Sequence, residues 1–122
     1  MVWADGETEA CALAHCAPDI VLVEPRRLIG TATSGDRPWI RPVNEALAAV
    51  DPQALVMHAG GIATPEDVRH VMGQGAHGTG CTSAVVFADD RRATVHNLIR
   101  AVREGWDQQL VSTTRWTHGP AD

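Results

Sequence analysis

Glu24 ends an apolar run, Ile20-Val21-Leu22-Val23, and is followed at once by Pro25 and then by Ile29-Gly30-Thr31. A carboxylate at the rim of an apolar pocket is desolvated, which raises its pKa toward the range useful to a general base. Two other stretches have residue types that can hold an anion. One is Ala59-Gly60-Gly61-Ile62, directly ahead of Thr64-Pro65-Glu66-Asp67; the other is Thr82-Ser83-Ala84. Glycine lets a backbone approach an anion closely, and the N–H groups of a helix start attract phosphate. Together these residues point to a phosphorylated substrate with a proton to be abstracted. Plainer readings stay open. A Glu at a strand end can simply be solvated, and a Gly-Gly turn can be backbone geometry alone.

The elements around these residues must bring them to one place. Residues 1–4 read as a short strand, and Ala10, Leu13, Ala14 and Ala17 recur at helical spacing over Thr8–Ala17 until Pro18 stops them. The run 20–23 has no alternation, as in a strand buried on both faces of a parallel sheet. Residues 30–38 are small and polar and read as a loop. A helix is expected from about Pro42 to Val50, since Pro is tolerated in a first turn. Leu55-Val56-Met57 reads as another buried strand. Thr64-Pro65-Glu66-Asp67 is a helix start with an N-cap, Pro at N1 and first-turn acids, and Gly75 suits its C-cap. Residues 77–81 form a weak strand, and Thr94–Trp106 is the clearest helix. From Asp107 a frayed tail is expected. Strand and helix alternate four times, which implies a parallel α/β arrangement. In such folds sites form at the C-terminal ends of strands, where Glu24, the Gly60-Gly61 turn and Thr82-Ser83 fall.

Composition narrows the class. The chain has 122 residues, enough for one domain, with a formal net charge of −5. An acidic balance argues against nucleic acid, which needs a basic face. No apolar run reaches the roughly 18 residues that span a bilayer. Asp5, Glu7 and Glu9 interrupt any signal-peptide pattern, so a cytoplasmic location is expected. Cys11, Cys16 and Cys81 are odd in number and lack CxxC spacing, so they read as small buried fillers and not as a disulfide framework or metal site. No metal or cofactor is expected. All ten basic residues are arginine.

With these residues in view, the chain resembles triosephosphate isomerase, especially the short archaeal form. VEPRRLIGT (23–31) resembles that family's sixth-loop motif, a Glu-Pro pair ahead of an Ile-Gly-Thr hinge. AGGIATPEDV (59–68) resembles the seventh-loop signature, and Gly75–Ser83 resembles the eighth strand, which ends in Ala-Ser-Gly. The resemblance covers residues 1 to about 105 and implies a (β/α)8-barrel fold, present here as a half barrel of about four β/α units, strands five to eight. Residues 106–122 are left as a tail. It implies that Glu24 is the catalytic base that interconverts dihydroxyacetone phosphate and glyceraldehyde 3-phosphate, in glycolysis and gluconeogenesis. Ile29, Gly61, Thr82 and Ser83 fall at positions whose backbone amides bind the substrate phosphate. Residues 26–36 would be a lid, hinged at Pro25, Gly30 and Thr31, that excludes water.

The chain also departs from that pattern. The Gly-Thr-Gly hinge reads Gly30-Thr31-Ala32, and Ala84 replaces the glycine after the Ala-Ser pair. Arg26 and Arg27 add positive charge beside the lid. The family's electrophilic His and its Asn-x-Lys belong to strands that this chain does not supply, and the chain has no lysine. His58 and His77 lie near strand ends but match no motif, and read as packing residues. A half barrel leaves sheet edges to be paired. The expectation is therefore a homo-oligomer, a complementary N-terminal half or a truncated reading. Trp3, Trp39, Trp106 and Trp116 are candidate contacts for that partner. The alternative function is a non-catalytic half-barrel module that binds phosphate or a partner.

Overall fold

The alternating runs fold into one parallel sheet with helices against one of its faces. The computed structural model describes residues 1–32 and 35–117, with the side chains of 112–117 outside the description. The strands are β1 (Val2–Ala4), β2 (Ile20–Val23), β3 (Leu55–Ala59) and β4 (Gly78–Gly80), in spatial order β1-β2-β3-β4. All three pairings are parallel, with Val2 opposite Val21, Val21 opposite Val56, and Met57 opposite Gly78. The helices are α1 (Glu7–Ala14), α2 (Ile40–Val50), α3 (Pro65–Gly73), the short α4 (Ser83–Val86) and α5 (Arg91–Thr117), with a 3-10 turn at Arg26–Leu28. No helix among the described residues is long and apolar enough to cross a membrane.

Side-chain alternation decides which face is buried. Val21, Val23 and Val56 point toward the helices and pack with Ala10, Ala14, Val43 and Leu47. A second cluster joins Ile40, Ile62, Val68, Val71 and Met72 to Leu98 and Ala101 of α5. On the other face Ile20, Leu22 and Met57 are only half-buried, and Leu55 is 48% exposed. The run 20–23 was expected to be buried on both faces. It is covered on one, because the other face meets no layer among the described residues.

The element ends have local causes. α1 stops at Ala14, three residues short of expectation. The chain turns through Cys16 N–H to Leu13 C=O (3.0 Å) and Ala17 N–H to Ala14 C=O (3.0 Å). Ala17 sits at φ 50°, ahead of Pro18, which disfavours a right-handed helical residue before it. α3 begins as its sequence predicts. Thr64 accepts from the Asp67 N–H, and Asp67 accepts in return from the Thr64 N–H, a reciprocal capping box. Gly75 follows at φ 98°.

The expected frayed segment from Asp107 is helical as far as Thr117. Its docking is polar. The Gln109 side-chain amide donates to the carbonyls of Met72, in the last turn of α3, and of Ala76, beyond its end. Apolar periodicity carries no sign of such a contact. Residues 118–122, also expected as tail, lie outside the described residues, as do Thr33 and Ser34 of the expected lid. α4 was not expected; it is a single turn in which Val86 is 47% exposed.

Candidate functional site

The site lies at the C-terminal ends of β2, β3 and β4. A cavity of about 280 Å³ is lined there by Glu24, Ile29, Gly30, Thr31, Gly61, Thr82 and Ser83, with Leu22, Met57, Ala59 and Cys81 beneath and beside them. Every residue named from the sequence as base, phosphate holder or hinge lines this cavity except Pro25, which is buried behind Glu24.

Glu24 stands one residue past β2, anchored by its N–H to the Ala4 carbonyl (2.9 Å). Its Oε2 accepts from the Trp3 indole N–H (3.3 Å). The alternation of β2 places it on the same face as Leu22, the open one. Arg26 stacks over Trp3 at 5.0 Å, and its N–H donates to Asp5 (2.6 Å). Arg27 stacks over Trp39 at 5.2 Å. Both arginines are thus held on indole faces beside the loop, a favourable use of the planar guanidinium. Two of the tryptophans expected as partner contacts are half-buried partners of these arginines. Trp106 is half-buried as well, and the Trp116 side chain lies outside the described residues.

The segment after Pro25 is a tight turn and not an open loop. Leu28 N–H donates to Pro25 C=O (2.8 Å) and Ile29 N–H to Arg26 C=O (3.2 Å), while the Thr31 hydroxyl donates to Leu28 C=O (2.8 Å). The Ile29 amide is therefore occupied within the turn, although its side chain lines the cavity. Among the described residues the N–H groups of Gly61, Thr82 and Ser83 meet no acceptor.

Gly60 and Gly61 take φ values of 91° and 68°, which side chains rarely adopt. A Cβ on Gly60 would lie 3.0 Å from the Leu28 Cβ, and one on Gly61 would lie 3.2 Å from the Thr31 hydroxyl. Both glycines let the 28–31 segment lie directly on the 60–62 turn. The start of α3 itself is taken. Asp67 Oδ2 accepts from the N–H groups of Ala63 (3.1 Å) and Thr64 (2.9 Å). An anion in the cavity would meet the amides of the turn upstream, not the first turn of the helix.

The sequence reading missed Arg37. Its Nη1 lies 3.5 Å from Asp67 Oδ1, with side-chain exposures of 4% and 5%. Its Nη2 donates to Gly61 C=O (3.2 Å), and Nη1 also donates to Gly35 C=O (3.1 Å). Burial pushes the Asp67 carboxyl up, but the Ala63 and Thr64 hydrogen bonds and the Arg37 charge outweigh it and hold it below the usual carboxylate range. An arginine in a polar loop gives no local signal of burial, so only its nearness in space to Asp67 reveals it.

Of the two unassigned histidines, His58 packs, as expected, whereas His77 is exposed. His58 is buried and its Nε2 lies 2.7 Å from Asn44 Oδ1; burial lowers its pKa to about 4. His77 Nδ1 accepts from the Val56 N–H (3.1 Å). The cysteines differ from expectation. Cys16 is exposed, and Cys11 and Cys81 are half-buried, so none is a fully buried filler. Cys81 lines the cavity floor, where burial pushes its thiol pKa up.

No family profile matches the chain. Curated relatives do. Triosephosphate isomerase from Methanosarcina barkeri (strain Fusaro) is 33% identical over 94 residues, 75% of this chain and 42% of that protein. The Methanothermus fervidus enzyme is 35% identical over 96 residues, 76% of this chain and 43% of that protein. That of Saccharolobus solfataricus is 36% identical over 84 residues, 67% of this chain and 37% of that protein. Solved structures share the fold. The crystal structure of the Amycolatopsis orientalis BexX/CysO complex matches all of this chain and 44% of its own at TM-score 0.73 and 19% identity. A chain of a cube-shaped, highly porous protein cage designed by fusing symmetric oligomeric domains matches at TM-score 0.65 and 19% identity, over 94% of this chain and 40% of its own. The chain spans less than half the length of the curated relatives it matches. It is a partial relative of the archaeal triosephosphate isomerases, an α/β chain that shares part of their sequence.

Proposed function

We propose that this chain carries the base and the phosphate-holding turns of a triose-phosphate isomerase site, on what corresponds to strands five to eight of an eight-stranded barrel. Glu24 takes a proton from one carbon of dihydroxyacetone phosphate and returns it to the neighbouring carbon, giving glyceraldehyde 3-phosphate through an ene-diol. The amides of Gly61, Thr82 and Ser83 hold the phosphate. Residues 26–36 form the lid, and closing it frees the Ile29 amide from Arg26 to join them. The observation that supports this reading is the common cavity: one carboxylate and two unpaired-amide turns, from three strand ends, face one space of about 280 Å³. That volume suits a ligand at the small end of the usual range.

A second reading has an observation of its own. The chain has no lysine, so it supplies no lysine ammonium beside a developing enolate. Preorganised charge of that kind is usually the largest catalytic term. The chain would then bind phosphorylated ligands without turning them over.

One experiment separates the two. Isomerisation of dihydroxyacetone phosphate is measured beside inorganic-phosphate titration of the Gly61 and Thr82 amide NMR signals, for the chain and for Glu24→Gln. Turnover that is lost in Glu24→Gln, with phosphate binding kept, supports the isomerase. Phosphate binding without turnover in the parent chain supports the module. Absence of both refutes the common site.

A further inference from the structure

One side chain touches the residues on both sides of Pro25. The Trp3 indole N–H donates to Glu24 Oε2 (3.3 Å), and the Arg26 guanidinium lies over the same indole at 5.0 Å. Strand register explains the meeting. Trp3 sits opposite Leu22 in the parallel pairing of β1 with β2, and directly opposed residues share a face of the sheet. Leu22 lines the cavity, and alternation returns Glu24 to the same face.

An indole N–H at a partly covered site takes any acceptor at hand, so the bond alone would say little. Its neighbours say more. Glu24 N–H donates to Ala4 C=O (2.9 Å), and Arg26 N–H donates to Asp5 Oδ1 (2.6 Å). Asp5 is itself fixed, since its N–H donates to Glu9 Oε2 (2.7 Å). Between Glu24 and Arg26, Pro25 holds φ at −59°. Residues 3–5 therefore each grip Glu24 or Arg26, and Trp3 is the one that reaches the carboxylate.

The nature of the donor matters. Among the described residues Trp3 is the only hydrogen-bond donor to the Glu24 side chain, and no arginine pairs with it. A neutral donor orients a carboxylate at less cost to its basicity than a paired cation does. The Arg26 cation acts one step away. It is attracted to the ring face and leaves the N–H edge of the indole the more positive. One carboxylate oxygen is thus held and the other has no partner among the described residues. A glutamate side chain is otherwise free to rotate, and a reacting group misplaced by about 1 Å can lose on the order of a hundredfold in rate.

We propose that Trp3 is the positioning residue of Glu24, its indole N–H holding Oε2 and Arg26 holding the indole, so that Oε1 is left to take the substrate proton. The effect on turnover rests on the isomerase reading of the site; the hold on the carboxylate does not.

The test is NMR on the whole chain with 13C-labelled glutamate, beside isomerisation of dihydroxyacetone phosphate. Trp3→Phe keeps a ring under Arg26 and removes the N–H. In the parent the Glu24 side-chain carbons should be more ordered than those of the exposed Glu7 and Glu45. In Trp3→Phe they should become as mobile as those two; unchanged order overturns the proposal. A second readout leaves Trp3 intact. Its indole N–H signal should move in Glu24→Ala while those of Trp39 and Trp106 stay, and an unmoved Trp3 signal overturns the proposal. Where the parent isomerises, Trp3→Phe should lower kcat about tenfold with KM within about twofold. Trp3→Gln, which keeps an N–H at the same number of bonds from Cβ, should regain part of that loss. A raised KM with kcat unchanged overturns the proposal, and so does an equal loss in the two variants. A parent without turnover refutes the isomerase reading alone, and the two NMR readouts still decide the hold on Glu24.

Discussion

The Arg37 guanidinium and the Asp67 carboxylate form a buried ion pair across 30 residues of sequence, with Nη1 and Oδ1 3.5 Å apart and both side chains at least 95% covered. The pair joins the end of the 26–38 segment to the start of α3, and Arg37 reaches on to the Gly61 carbonyl. Two stretches that face the cavity are thereby tied together behind it. Removing one partner of a buried pair leaves an uncompensated charge, which is costly. Arg37→Met and Asp67→Ala should each lower stability by about 3 kcal/mol in urea unfolding. The double variant should lose much less than the two added together. Additive losses would show that the two groups are not coupled.

His58 makes stability depend on pH in one direction. Burial lowers its pKa from 6.5 to about 4 in the folded chain. Between those values the unfolded chain takes up a proton that the folded chain refuses. Its contribution is therefore present above pH 6.5, falls as the pH drops toward 4, and amounts to about 3 kcal/mol over that window. Carboxylates titrate nearby, so the comparison is with His58→Gln. Unfolding midpoints of the parent should fall more steeply than those of the variant between pH 6.5 and 4.5. Parallel curves would mean that His58 is charged or solvated in the folded state.

Gly61 has both a constrained backbone and a close neighbour. Its φ is 68°, and the Thr31 hydroxyl lies 3.2 Å from the point a Cβ would occupy, so a valine strains the turn and pushes on the 28–31 segment. Gly61→Val should weaken inorganic-phosphate binding by at least about tenfold, roughly 1.4 kcal/mol. Unchanged titration of the Thr82 amide would remove the 60–62 turn from the phosphate site.

Gly105 tests the crossing of α5 over α3. A Cβ there would lie 2.5 Å from the Met72 Cβ and 3.2 Å from the Arg69 carbonyl oxygen. Alanine favours an isolated helix over glycine by about 1 kcal/mol. Overpacking costs about 1–3 kcal/mol and should win. Gly105→Ala should therefore lower the melting temperature. A rise would show that the two helices can part without loss.

Much of this arrangement is written in local patterns. Three apolar runs, a weaker fourth strand at 77–81, a capping box at Thr64-Asp67 and glycines at 60, 61 and 75 are enough to read the order of strands and helices and to put Glu24, Gly61 and Thr82 at strand ends. Local sequence carries such information because turns, caps and periodicity depend on residues a few positions apart. The tertiary structure decided the rest. It covered only one face of the run 20–23, since burial of a strand depends on layers that the strand does not contain. It drew Trp3 onto Glu24, Arg37 onto Asp67, and Gln109 onto carbonyls at and just past the end of α3, which extends α5 past its apolar pattern. Those contacts join residues at least 21 positions apart, where a polar side chain has no periodicity to announce its partner and only the folded path brings the two together.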